Sequence, residues 1–384
     1  MEAAFICTEE LWAQGFGRDH PLRPERLERT YELLTAYHAF DAPGSHLVEP
    51  DPVSREDLLL FHTPEYVDAV VRLSDDLNSL KGRGADLVSA WHYGFRPDET
   101  PVFPGMYESE SLKVGAALTA ARLITAGPVH VAFSFAGGMH HARPAQASGF
   151  CVFNDAAVAI HWLLRRGLRV AYVDIDVHHG DGVQAAFYDT DQVLTISLHQ
   201  AGILFYPGTG FPEESGTGAG YGYSINVPFL IYTSEELYLW AFRQVVPPLV
   251  RQFAPDVLVT QLGVDTHHRD KLGSLLQTTR GYVALIEEFR ALTEDIGRWL
   301  AFGGGGYAAD VVPRAWTLAY GVMSGQTFSD ELPPAYSQRY GPGQLHDAEG
   351  PEPTDEWVVE KTREYVERNL AILKAQTQSV WQWE

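Results

Sequence analysis

The stretch RVAYVDIDVHHGDG, residues 169–182, joins a strongly apolar run to three aspartates and two histidines. Its first half is typical of a buried strand in a parallel sheet. An unpaired carboxylate is strongly destabilising there, so these side chains need a cation or good hydrogen-bond donors. Because side chains alternate along a strand, we expect Asp174, Asp176 and His178 on one face, where they could ligate a metal ion.

A further carboxylate follows another predicted strand, in the stretch QLGVDTHHRD at 261–270. Asp176, His178 and Asp265 together make one imidazole and two carboxylates. This set suits Zn²⁺, with Fe²⁺ as an alternative, and leaves coordination positions open. Open positions indicate a catalytic metal rather than a structural one.

Two adjacent histidines, His140 and His141, follow a Gly-Gly turn in GGMHHARP at 137–144. Neighbouring histidines on a loop do not bind one ion with comfortable geometry, so proton transfer is the better role for them. Each then needs a carboxylate to fix its tautomer and its pKa. Asp174 and Asp181 are the candidates.

The run GGGGY at 303–307 places Tyr307 after four glycines. The glycine run could instead bind phosphate, but no G-x-x-x-x-G-K-[ST] pattern follows it and Lys is absent there. A phenol beside a metal is suited to stabilise an oxyanion. Phe150 and Tyr206, each next to glycine or proline on other loops, are either core residues or the walls of a narrow channel.

From residue 128 onward, apolar strand patterns alternate with helical ones, which predicts βαβ units and a mostly parallel sheet. Before 128 the chain is expected to be mainly helical after an opening strand near AAFIC. The predicted fold class is therefore α/β, as a single domain over 1–384 with catalytic motifs at 137–307. The tail from about 327 to 384 is expected to pack back on that domain.

The composition excludes several classes of protein. With 45% hydrophobic residues in 384, the chain is neither disordered nor fibrous. A net charge of −22 disfavours nucleic-acid binding and favours cationic substrates. The first residues show no signal peptide and no apolar run is long enough to cross a membrane, so we expect a soluble, cytoplasmic protein without a membrane partner. Its two cysteines, Cys7 and Cys151, are predicted to be core thiols.

These motifs, taken in order, resemble the zinc-dependent histone deacetylase family of the arginase/deacetylase superfamily, near the class I enzymes and the bacterial acetoin-utilisation proteins. The resemblance covers nearly the whole chain, and its motifs are DHPLRPERL, PVFPGMYE, GGMHHARPAQASGFCVFND, VDIDVHHGDGVQAAFY, SLH, YPGTG and GGGGY. It implies a single domain around a central, mostly parallel eight-stranded sheet flanked by helices.

The resemblance also implies roles for particular residues. It makes Asp176, His178 and Asp265 the zinc ligands and Tyr307 the transition-state tyrosine. The implied His–Asp pairs and the residues of an acyl-lysine tunnel are as follows: His140 with Asp174, His141 with Asp181, and Gly149, Phe150, Tyr206 and Leu272 along the tunnel. Arg26 would line an internal channel for acetate. A structural K⁺ would lie on Asp174, Asp176, His178, Ser197 and the carbonyl of Leu198.

Three positions depart from the family pattern. The carboxylate that clamps the substrate backbone falls at Glu99 or Asp98, and the pattern does not say which. Tyr206 stands where a phenylalanine is usual. His267 and His268 replace small residues and are expected to narrow the tunnel mouth or change the acyl preference.

The sequence therefore predicts a zinc hydrolase that removes an acyl group, most simply acetyl, from N6-acyl-lysine in a protein or peptide. The alternative is an acetylpolyamine or other small cationic acyl amide. Relatives of that kind usually carry an extra loop, and no large insertion stands between 75 and 105. A dinuclear manganese ureohydrolase would need more aspartates beside Asp265, and an inactive metal-bearing binding module would usually have lost a catalytic group. Oligomeric state is not predicted.

Overall fold

The protein is described from a computed structural model, which covers residues 2–75, 84–352 and 354–383. Part of the interval 75–105, which bears on the extra loop, therefore lies outside the described residues. Eight strands form one sheet in the order β2-β1-β3-β8-β7-β4-β5-β6. The strands are β1 Glu2–Ile6, β2 Ser45–Val48, β3 Val129–Ser134, β4 Val170–Asp174, β5 Val193–Gln200, β6 Ser224–Phe229, β7 Val257–Gln261 and β8 Trp299–Phe302.

Helices cover both faces of this sheet, as expected for a parallel arrangement. They are α1 Glu25–Ala36, α2 Arg55–Leu58, α3 Pro64–Asp75, α4 Gly84–His92, α5 Met106–Ala126, α6 Asp155–Leu164, α7 Asp181–Ala186, α8 Glu235–Phe253, α9 Thr279–Ile296, α10 Val312–Ser324, α11 Pro334–Tyr340 and α12 Glu356–Thr377. Two large apolar clusters fill the spaces on the two sides of the sheet. None of the described helices is long and apolar enough to cross a membrane.

Every pairing between the named strands is parallel, so the predicted fold class is confirmed. The order changes direction at the centre of the sheet, where β4 and β7 lie between β8 and β5. Ligands of open α/β sheets bind at the carboxyl ends of strands near such a point. The sheet thereby determines where its functional loops meet.

The strand patterns did not predict β2 or β6 individually. β2 has four residues at one edge of the sheet, two of them exposed, and so carries no long apolar run. β6 contains Pro228, and a proline argues against a central strand because it has no N–H to donate. The strand lies at the opposite edge of the sheet, where a missing N–H is tolerated. The C-terminal helix α12 covers it, with the Asn369 amide donating to the Pro228 carbonyl at 3.5 Å. The expected packing of the tail on the domain is present here.

Helix α5 was also not predicted as a separate element. It is buried nearly all round, in large part through small residues, so it lacks the one-sided apolar stripe that identifies a surface helix. The two cysteines are free and buried, as predicted.

Candidate active site

The three predicted metal ligands meet at the centre of the carboxyl edge of the sheet. β4 ends at Asp174, so Asp176 and His178 lie on the loop that follows it and not on a continuing strand. Asp265 reaches them from the loop after β7. The Nδ1 atom of His178 is 3.0 Å from Asp176 Oδ1 and 3.1 Å from Asp265 Oδ2. All three side chains are buried.

The remaining oxygens of the two carboxylates are already held by neighbouring groups. Asp176 Oδ2 accepts hydrogen bonds from Gln261 Nε2 at 2.6 Å and from the Gly305 N–H at 2.8 Å. Asp265 Oδ1 accepts the Val177 N–H at 2.8 Å. Each carboxylate is thus oriented so that its other oxygen faces His178.

The pKa values of Asp265 and His178 are both raised, because the two carboxylates lie close together in a buried place. Burial and the charge of Asp176 raise the pKa of Asp265 to about 8. Burial lowers the pKa of His178, but its hydrogen bonds to Asp176 and Asp265 raise it more strongly, to about 10. Two buried carboxylates this close need either a shared proton or a cation between them. One nitrogen and two oxygens, mutually within 4.8 Å, fit a single Zn²⁺ or Fe²⁺ ion.

The tandem histidines lie beside this cluster, each paired with the carboxylate expected for it. His140 Nδ1 is 2.8 Å from Asp174 Oδ2, and His141 Nδ1 is 2.7 Å from Asp181 Oδ1. The other oxygen of Asp181 accepts a 2.6 Å hydrogen bond from Arg143, which the sequence reasoning did not assign. In both histidines the Nε2 atom is the nitrogen left for chemistry.

The two histidines differ in their pKa. Burial lowers the pKa of His140, but Asp174 and Asp176 raise it more, to about 9. Burial and the neighbouring charge of His140 lower the pKa of His141 to about 3, against the opposing effect of Asp181. The two shifts have opposite directions, so His141 holds a second proton less readily than His140 does.

Tyr307 lies at the end of the glycine loop on the other side of the cluster. Burial and the charges of Asp265 and Asp176 raise its pKa well above the ordinary value, so its phenol keeps its proton. The buried guanidinium of Arg26 donates hydrogen bonds to the carbonyls of Gly304 at 2.7 Å and Gly306 at 3.3 Å and thereby anchors this loop. The predicted channel arginine thus contacts the loop that carries Tyr307.

One carboxylate that the sequence reasoning left without a role is Asp270. Its Oδ2 accepts the N–H groups of Tyr307 at 2.6 Å and Ala308 at 3.2 Å, and its Oδ1 accepts that of Leu272 at 2.9 Å. A single buried side chain thus joins the tyrosine loop to the loop of Asp265. The sequence feature that could have indicated this role is a second aspartate on the loop that carries Asp265.

Two of the expected tunnel residues, Phe150 and Tyr206, lie beside the catalytic candidates. Phe150 has its ring edge-on to Tyr307, with centroids 5.9 Å apart. Tyr206 is edge-on to His141 at 4.9 Å, and its hydroxyl is 2.5 Å from Ser148 Oγ. These contacts favour the channel-wall interpretation of both aromatic residues over the core interpretation.

Glu99 and Asp98 differ in their surroundings. The Gly149 N–H, on the tunnel wall, donates to Glu99 Oε1 at 2.7 Å. Asp98 is exposed to solvent. Of the two carboxylates, Glu99 is the one that contacts an expected tunnel residue.

The expectation that the histidine pair of the β7 loop narrows the mouth is wrong for His267. Its ring is buried, Nδ1 accepts the Arg269 N–H at 3.1 Å, and Nε2 donates to Asp347 at 2.8 Å. Asp347 also pairs with Arg314 at 2.9 Å. His267 therefore attaches the loop to the C-terminal segment. His268 lies close enough to form a possible metal-binding group with His267 and Asp347, but Arg314 already neutralises the Asp347 carboxylate.

Two of the residues predicted for K⁺ are neighbours in the sheet. Asp174 and Ser197 are directly opposite each other in the pairing of β4 with β5. The carbonyl of Leu198 accepts a 3.0 Å hydrogen bond from Tyr238. The potassium site itself stays a prediction.

Comparison with known proteins gives a consistent result. Residues 20–323 match the model of the histone deacetylase domain. The chain is 39% identical to the acetoin utilization protein AcuC of Bacillus subtilis over 340 residues, 87% of this chain and 85% of that protein. It is 33% identical to histone deacetylase clr6 of Schizosaccharomyces pombe, covering 89% and 82%. The crystal structure of an HDAC homologue from Aquifex aeolicus superposes with a TM-score of 0.83 at 30% identity, over 95% of this chain and all of the other.

Proposed function

Because the chain belongs to the histone deacetylase family, we propose that it hydrolyses the acyl amide of N6-acyl-lysine in proteins or peptides, with acetyl as the acyl group. The deacetylase class follows from the family, and the zinc dependence, the lysine substrate and the residue roles are the proposal. The observation that carries it is the convergence of a three-ligand cluster, two oriented His–Asp pairs and a protonated tyrosine at one tunnel end.

Asp176, His178 and Asp265 would hold the metal, for which Zn²⁺ is our proposal and Fe²⁺ the alternative. The chemistry that such an ion supplies is a lower pKa for water and polarisation of the amide carbonyl.

His141 is the proposed general base. Its Nε2 takes a proton from the attacking water, and Asp181 stabilises the imidazolium that forms. As the amide C–N bond breaks, the same proton goes to the leaving ε-amine. His140, whose Nδ1 is bonded to Asp174, contributes positive charge beside the reacting carbonyl.

Tyr307 donates a hydrogen bond from its phenolic O–H to the oxyanion of the tetrahedral intermediate and keeps its proton. A donor of this kind is worth about 10²–10³ in kcat, or roughly 3–4 kcal/mol. Arg26 and Asp270 hold the loop that carries it. Phe150 and Tyr206 would enclose the methylene chain of the lysine, with Gly149 and Leu272 beside them, and Glu99 would accept a backbone N–H of the substrate.

The alternative substrate is an acetylated polyamine or other small cationic amide, which the net charge of −22 would attract. The cytoplasmic location expected from the sequence stays a prediction.

Parallel assays of an acetyl-lysine peptide and an acetylated polyamine would test the proposal, with metal content measured on the same samples. We expect peptide turnover with one zinc per chain, and loss of turnover but not of zinc in Tyr307→Phe. Turnover of the polyamine alone would select the alternative. Absence of turnover on both would contradict the proposed function.

A further inference from the structure

Four exposed apolar side chains lie on the two loops that follow the neighbouring strands β5 and β6. Ile203 and Leu204, on the loop after β5, are 79% and 102% exposed, and Ile231 and Tyr232, after β6, are 46% and 50% exposed. With Tyr206 they make up five of the eleven exposed large apolar side chains in the described residues. We call the first four the apolar rim. Such clustering marks a binding surface more often than scattered exposure does.

The apolar rim is continuous with the tunnel wall. Tyr206 follows Leu204 by two residues and packs against His141. On the other side, the Tyr232 N–H donates to the Ser274 carbonyl at 2.7 Å, two residues beyond Leu272. Both rim loops thus adjoin residues that we assign to the tunnel wall, within reach of a molecule whose acylated side chain enters the tunnel.

The charge of these loops selects among such molecules. Segments 201–212 and 230–233 contain no charged residue, in a chain with a net charge of −22. The two loops leave the sheet side by side, because β5 and β6 pair up to Gln200 and Phe229. A polyamine carries protonated amines that gain little from an uncharged apolar surface. An apolar side chain gains about 25 cal/mol for each Å² it buries there.

We infer that the apolar rim binds the polypeptide next to the acylated lysine, and that the preferred substrate is a peptide or protein with a large apolar side chain close to that lysine. The inference rests on the proposed function, since it adds the substrate class to the same site. It favours polypeptides over polyamines, between which the chemistry of the metal cluster does not discriminate.

The test compares two acetyl-lysine peptides, one with leucine on both sides of the lysine and one with serine. Wild type is compared with the double variant Ile203→Ser/Leu204→Ser and with Val359→Ser, a matched loss of an exposed apolar side chain on helix α12. Wild type should prefer the leucine peptide. The rim variant should lose about five- to tenfold in kcat/KM on that peptide, as expected when roughly half of a leucine side chain is no longer buried.

The same variant should lose clearly less kcat/KM on the serine peptide than on the leucine peptide, and Val359→Ser should match wild type on both. Peptide affinity, measured by fluorescence anisotropy with the Tyr307→Phe protein, should show the same preference without turnover. Peptides turned over with no leucine preference and no effect of the rim variant would overturn this inference alone. Turnover of an acetylated polyamine without any peptide turnover would overturn the proposed function as well. A wild-type dimer that the rim variant converts to monomer would assign the rim to a second copy of the chain and overturn the inference.

Discussion

Replacing Asp270 by asparagine would test whether a buried carboxylate sets the position of Tyr307. Its two oxygens accept three backbone N–H groups, those of Tyr307, Ala308 and Leu272. Asparagine keeps the shape but has one acceptor oxygen, and its NH₂ group would point at an N–H. At least one donor therefore loses its partner, and a hydrogen bond to a charged group is worth roughly 1.5–3 kcal/mol.

The expected kinetic result is a fall in kcat of about ten- to a hundredfold, because small displacements of a catalytic group cost up to about 10² in rate. KM should change little, since we expect Asp270 to act through Tyr307, the residue that we propose stabilises the transition state. Zinc content should equal that of the wild type. Asp310→Asn is the matched control, since it removes an exposed carboxylate three residues beyond Tyr307.

A double-mutant cycle separates positioning from a general structural effect. In a Tyr307→Phe background the phenol is already absent, so Asp270→Asn should lower kcat further by less than about threefold. The assay is initial-rate release of free amine from an acetyl-lysine peptide by four proteins of equal zinc content. Two losses that simply multiply would refute the reasoning, because Asp270 would then act independently of the tyrosine.

Three further changes have expected outcomes. Elemental analysis should find one zinc per chain in the wild type and much less than one in Asp265→Asn. Full retention of zinc by the variant would show that Asp265 is not a ligand. Burial raises the pKa of Asp347, but hydrogen bonds from the His267 imidazole and the Thr279 N–H lower it more. The charged carboxylate therefore stabilises the folded protein fully above its ordinary pKa of 3.8, and this stabilisation is lost as the pH falls below that value. Asp347→Asn should therefore lower the free energy of unfolding by roughly 2–4 kcal/mol at pH 7 and by less near pH 3, as measured in denaturant; an equal loss at both would contradict this sign. Gly182→Ala would place Cβ 2.5 Å from the His140 carbonyl oxygen and should lower the free energy of unfolding by roughly 1–3 kcal/mol. Gly127→Ala is the control, since its Cβ would meet nothing within 4 Å. Equal melting temperatures for the two variants would argue against the close approach at Gly182.

The sequence by itself determined the fold class and predicted which residues would meet at the site. The period of its apolar residues specified parallel strands joined by helices, and polar residues directly after those strands had to meet at one edge of the sheet. Asp176, His178 and Asp265 could be named for this reason. The pairing of His140 with Asp174 and of His141 with Asp181 could be named as well, from the need of each imidazole for a carboxylate and from the family resemblance.

Only the tertiary structure decided which neighbours each polar group has. β2 and β6 depend on their edge positions, and the burial of α5 depends on what surrounds it, so local patterns did not identify them. The assignment of Asp270 to Tyr307, of His267 to Asp347 and of Glu99 to Gly149 depends on contacts between segments that are distant in the sequence. A residue type states what bonds a side chain can make, whereas only the folded chain determines which partner lies within reach.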